Sequence, residues 1–176
     1  MSSRRNSNSK VFKYSLILPI VSILYLLQPA SATDVDDAVE KALTLEKHGD
    51  RAGALLEYGK ALQKDPNDSV ALIDRAILRF NSGERQAAFA DIDRALKVNM
   101  IDFNALRTRA DFKADSGNVK GALADYNEAI KWNKNDAAAY TNRGIMHVNL
   151  GETKAALADF VKAVSIDNNL IARFNR

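Results

Sequence analysis

The sequence predicts an all-α solenoid of about four helix-turn-helix hairpins, and three observations carry that expectation. Gly49, Gly83, Gly117 and Gly151 recur every 34 residues. Small residues keep the same step: Ala42, Ala76, Ala110 and Gly144; Ala54, Ala88, Ala122 and Ala156; Ala61, Ala95, Ala129 and Ala163. A charged column does so too, with Lys41, Arg75, Arg109 and Arg143 each followed sixteen residues on by Glu57, Asp91, Asp125 or Asp159.

Residues 1–32 precede the repeats and differ in kind. Arg4, Arg5, Lys10 and Lys13 lead into the apolar run 14–27, then Gln28-Pro29-Ala30-Ser31-Ala32. That order reads as a secretory signal peptide, cleaved after Ala32. The run is shorter than the roughly 20 residues that span a bilayer, although residues 11–27 could serve as an uncleaved anchor if Lys13 snorkels. Arg4-Arg5 is a poor twin-arginine signal, because residues 6–9 are polar. The formal charge of +3 therefore belongs to this segment: without its four basic residues the remainder is nearly neutral. Nothing in that balance favours nucleic acid, which needs concentrated Lys and Arg. The absence of cysteine excludes disulfides and a lipid-accepting thiol.

Residues 33–170 form the expected repeat domain, in units 35–68, 69–102, 103–136 and 137–170. In each unit the first helix starts behind an acidic cap, Asp34, Asp68, Asp102 or Asp136, whose carboxylate can accept a free backbone N–H. It ends at the repeated glycine, where a left-handed turn is expected. Asp50, Glu84 and Glu152 follow, placing an acid at the start of the second helix. The cation–anion column is expected to form a repeated ion pair that sets helix register, in preference to an anion-binding ladder, because each cation carries its own counter-charge. Residues 171–176 are expected to begin an incomplete fifth unit, leaving parts of Val161 and Val164 open to water; that end would dock on another copy or a partner, or mark lost repeats.

These columns resemble the tetratricopeptide repeat over nearly all of the chain after residue 34. The large-residue column near the end of the second helix reads Tyr58, Ile92, Tyr126 and Phe160, and the family's closing proline stands at Pro66 but is replaced by Met100, Lys134 and Asn168. The family's first-helix aromatic is replaced by Leu45, Arg79, Lys113 and His147. The resemblance implies a right-handed superhelix whose first helices line a concave groove. Its lining would be Ile73, Asp74, Ile77 and Phe80, then Arg107, Thr108, Asp111 and Asp115, then Thr141, Asn142, Ile145 and Asn149. Apolar anchors beside polar groups suit an extended peptide or a partner helix. The carboxylate clamp of the family's chaperone-binding members is not matched, since Val39, Leu43, Asp74, Asn104 and Thr108 stand at its positions.

Catalysis has no foothold in the sequence. Two histidines, no cysteine and no phosphate-cradling glycine loop leave neither a metal cluster nor an activated nucleophile. His48 reads as a solvated helix end, His147 as a substitute for a packing aromatic, and Trp132 as the cover of a hairpin junction. The expectation is a non-enzymatic adaptor without cofactor or metal, periplasmic or secreted, binding a protein or peptide. The alternative is a self-assembling element that oligomerises through its C-terminal repeat.

Overall fold

The computed structural model describes residues 32–174. Among them there are eight helices and no strand: α1 (Ala32–Lys47), α2 (Arg51–Lys64), α3 (Ser69–Asn81), α4 (Arg85–Val98), α5 (Phe103–Asp115), α6 (Val119–Trp132), α7 (Ala137–Asn149) and α8 (Thr153–Phe174). They pack as four hairpins, α1/α2 to α7/α8, each stacked on the one before it. The expected export segment lies outside the described residues, apart from Ala32, where α1 begins. No described helix is long and apolar enough to cross a membrane.

Local chemistry explains the helix ends. Asp68 accepts from the Ala71 N–H at 2.6 Å, Asp102 from Ala105 at 3.1 Å and Asp136 from Ala139 at 3.0 Å, each satisfying a donor that the helix leaves free. Asp34 does not cap, because α1 already starts at Ala32 and places it in the first turn. Among the second helices, Asp50 caps α2 through Gly53 and Asn118 caps α6 through Gly121, whereas Glu84 makes no side-chain cap on α4. The glycine column turns each hairpin with φ of 80°, 87°, 78° and 74°, a region that a side chain with a Cβ reaches only under strain.

The small-residue columns sit where the helices of a hairpin touch. Ala42, Ala54, Ala61, Ala76, Ala88, Ala95, Ala110, Ala122 and Ala129 are fully buried. The one glycine in these columns has a steric cause: a Cβ at Gly144 would lie 2.7 Å from a ring carbon of Phe160. Tyr58, Ile92 and Tyr126 fill the spaces beside the alanines. Between the second and third hairpins, Phe80 stacks on Phe112 with ring centroids 4.1 Å apart, and Phe89 meets both edge-on.

The last helix differs from the expectation of a fifth unit. α8 runs unbroken through Phe174, so residues 171–174 prolong it and do not open a new helix. The reason is local: Leu170 stands where Asp68, Asp102 and Asp136 cap the preceding units, and Asn168 where Pro66 closes the first.

Replacing Gly83 by Ala is expected to destabilise the fold by about 1–2 kcal/mol, because the strained φ persists although the space around it is open. Equilibrium denaturation should show a lower midpoint with unchanged slope.

Candidate functional site

The first helices sit closer to one another than the second helices do. α3 packs on α5 and α5 on α7, while successive second helices make no comparable contact, so α3, α5 and α7 line the inner side of the stack, and α1 is their counterpart in the first hairpin. One position per hairpin forms a line along that side, occupied by Leu43, Ile77, Asp111 and Ile145. Leu43, Ile77 and Ile145 are each about two-fifths exposed. Leu43 and Ile77 thus offer neighbouring apolar anchors on the first two hairpins, and Ile145 a third on the fourth.

Two polar clusters flank this line, built on the two buried tyrosines. In the first, the Tyr58 hydroxyl donates to Glu46 Oε1 at 2.6 Å, with Asp74 close by. Burial pushes the Asp74 carboxyl up to about 6, and the charges of Glu46 and Asp68 add to the shift. Among the described residues no cation pairs with Asp74. In the second cluster, Asp111 Oδ1 accepts from the Tyr126 hydroxyl at 2.5 Å and from Asn142 Nδ2 at 2.9 Å. Arg107 neutralises this cluster, 3.6 Å from Asp111 and 3.1 Å from the Asp136 carboxylate. Burial and the bonds to Glu46 and Asp111 push both phenols above their ordinary range. One cluster is therefore an uncompensated acidic site, and the other is internally balanced.

The remaining sequence-derived groove residues divide by exposure. Ile73 and Thr108 are buried, and Phe80 is held in the inter-hairpin aromatic stack, so these three shape the wall. Asp115 pairs with Arg85 at 2.9 Å, Thr141 bonds back to the Ala137 carbonyl, and Thr141 and Asn149 are exposed on α7. Glu46 was not legible as a groove residue. Its equivalents one, two and three units on are Phe80, Ala114 and Val148, so no periodic signal marks it.

The charged column lies inside each hairpin and away from the groove. Arg75 grips Asp91 with two bonds of 2.8 and 2.6 Å, Arg109 grips Asp125 at 2.8 and 3.0 Å, and Arg143 grips Asp159 at 2.8 and 2.6 Å. Each acid is buried and takes a second basic side chain: Arg79 at 2.7 Å, Lys113 at 2.6 Å and, more loosely, the His147 imidazole at 3.8 Å. In the first hairpin Lys41 and Lys60 hold Glu57, and their hydrogen bonds keep its carboxyl below the ordinary range. Three of the four residues that replace the first-helix aromatic, Arg79, Lys113 and His147, are thus partners of a buried carboxylate. His147 also bonds Glu152 at 2.6 Å. The bidentate pairs occupy the carboxylates, so this is a structural ladder with no free anion site.

His48 bonds the Thr44 carbonyl at the exposed end of α1, and Trp132 is about half exposed beneath the Lys131 ammonium. Among the described residues no group of three or more His, Cys, Asp and Glu is placed to hold a metal ion. Open depressions on the second-helix side, one bordered by Asp93, Arg94 and Lys97, lie away from the groove.

This geometry agrees with what the chain is similar to. A family model for the TPR repeat matches residues 111–151, and one for the tetratricopeptide repeat matches residues 137–170. Among solved structures, that of MamA aligns with a TM-score of 0.69 at 19% identity, over 86% of this chain and 86% of that one. The PilF structure from Pseudomonas aeruginosa aligns with a TM-score of 0.72 at 19% identity, over 78% of this chain and 63% of that one. A tetratricopeptide repeat protein from Parabacteroides merdae aligns at 0.65 and 23%, over 77% and 54%. No curated protein matches the sequence. The described residues are an all-α tetratricopeptide solenoid, an architecture that typically serves as a non-catalytic protein-binding scaffold.

Two outcomes test this electrostatic picture. The raised Asp74 value means that the stability its protonated form contributes is complete below pH 4, falls between about 4 and 6, and is gone above. Asp74→Asn is expected to be stabilised relative to wild type at pH 7.5, on the order of 1 kcal/mol after allowance for partial exposure, and the advantage should vanish by pH 4 in denaturant titrations. By contrast, Asp91→Ala leaves Arg75 and Arg79 without their buried carboxylate, and is expected to cost about 3–5 kcal/mol in the same measurement.

Proposed function

We propose that this chain is an exported adaptor of the cell envelope, which binds a protein partner through the groove of its first helices. Export is supported by the basic-then-apolar order of residues 4–27 and the small residues before position 33. After export the protein would be periplasmic or secreted. The partner is a segment of another protein that seats apolar side chains on Leu43, Ile77 and Ile145.

One observation carries the groove reading: Asp74 has a raised carboxyl and no cation, next to half-exposed apolar side chains. A basic side chain of the partner, placed against Asp74 and Glu46, would supply the missing charge and restore an ordinary carboxylate. The second cluster, balanced by Arg107, needs no such partner and would contribute hydrogen bonds through Asn142 and Thr141. The partner segment is therefore amphipathic and basic at the end that meets the first two hairpins.

The reading is tested by crosslinking pull-down from envelope extract, comparing wild type with Ile77→Ala/Asn142→Ala and with Asp74→Lys. Proteins bound through the groove should be recovered less by the double variant and least by Asp74→Lys, with recovery weakening as salt rises. Recovery of the same proteins by all three forms would exclude the groove. For export, the N-terminal sequence of the protein that accumulates outside the first membrane should begin at Thr33.

A further inference from the structure

The two ends of the stack differ chemically, and the difference identifies a second interaction surface. Between hairpins, a stripe on one second helix meets a stripe on the next first helix. On the second helices the outer position holds Leu55, Phe89 and Leu123, partly buried, and the inner one Leu62, Leu96 and Ile130, only 7%, 7% and 8% exposed. Between them stand Gly59, Asp93 and Asn127; Asp93 pairs with Arg109 at 3.1 Å, and Asn127 accepts from Arg143 at 2.7 Å. The facing stripe on α3, α5 and α7 places Ala71, Ala105 and Ala139, then these arginines, then Leu78, Phe112 and Met146, all but the arginines buried.

On α8 the same three positions are Leu157, Val161 and Val164, and they are 63%, 61% and 58% exposed. This face continues the interface that joins successive hairpins, yet its middle position, Gly59 in the first hairpin and a polar partner of arginine in the second and third, is now valine. On α1 the corresponding facing stripe is Asp37, Lys41 and Thr44, all exposed. A second copy's α1 would therefore bring an acid and a lysine against three apolar side chains, so head-to-tail stacking would desolvate both charges without pairing them across the contact. The surface that does complement Leu157, Val161 and Val164 is the same stripe of another copy.

We propose that the protein forms a closed two-fold dimer, tail to tail, through antiparallel α8 helices. About a two-fold axis at Val161, Val161 meets its own copy and Leu157 meets Val164 of the other chain, which is the self-complementarity an isologous contact requires. Ala158 and Ser165, exposed beside the stripe, are small enough to let the helix axes approach. The contact ends with the dimer, because the polar α1 faces are left outward. It goes beyond the groove reading and leaves Leu43, Asp74 and Ile77 free in both copies.

The chain has no cysteine, so single introduced thiols report unambiguously. In the protein as it accumulates in the producing cell, Val161→Cys should form a disulfide dimer on mild oxidation, and a mixture of Leu157→Cys and Val164→Cys should form the mixed dimer. Thr44→Cys mixed with Val161→Cys should give no cross-species. Sedimentation should show a mass that doubles with concentration and then stops rising, with association weakened about tenfold or more by Val161→Glu, which opposes two carboxylates in an apolar contact. A Thr44–Val161 crosslink, a mass rising beyond two copies, a monomer at all concentrations, or a dimer indifferent to Val161→Glu would each overturn the proposal. Ile77→Ala should leave the dimer unchanged, so loss of the dimer and loss of partner capture are read separately.

Discussion

The structure depends on helices approaching at alanine distance. With no side chain larger than a methyl at Ala42, Ala54, Ala61 and their equivalents, each first helix lies against its second helix close enough for an arginine on one to reach a carboxylate on the other. That closeness is also what buries the carboxylate. An acid taken out of water is costly unless paired, and the need is met by a bidentate arginine with a further basic group in three hairpins and by two lysines in the first. The small residues and the ion pairs are thus one constraint: the first sets the distance, and the second fixes the register of the helices at that distance.

The same constraint explains why the repeat can lack its first-helix aromatic. Arg79, Lys113 and His147 occupy that column, and each points to the carboxylate of its own hairpin. The first hairpin, with Leu45 in that position, draws its second cation from Lys60 on the second helix itself. Four hairpins thereby reach the same buried acid by two routes. What the pattern repeats is a buried acid held by two basic side chains, whichever helix supplies the second one.

Much of the fold was legible because it repeats: glycine, alanine and ion-pair columns are each visible from spacing alone. The second basic partner was not, since a basic residue in an aromatic column reads as a lost packing group until the carboxylate on the facing helix is seen. Glu84 failed as a cap because its position lacks a side-chain bond that Asp50 and the shorter amide of Asn118 both make. The groove was legible as a helix face, but the exposure of its members was not. Ile73, Thr108 and Phe80 share that face with Ile77, and the neighbouring hairpin decides which of them reach water. Glu46 escaped because only one repeat carries an acid there.

A repeat array is stabilised by nearest neighbours, so any position that breaks its column has been released from the repeat's own requirement. The inner face breaks column at Asp74 and Glu46, where the charge balance found around Asp111 is missing. The second-helix stripe breaks column at Val161, where the polar arginine partners of the second and third hairpins give way to an exposed apolar side chain. Both departures leave a surface whose chemistry is incomplete within one copy: an acid without a cation in the first case, and an apolar stripe without a cover in the second. Since the two lie on different helices and ask for different complements, a single solenoid of this kind can hold a basic partner in its groove while its last helix is engaged elsewhere.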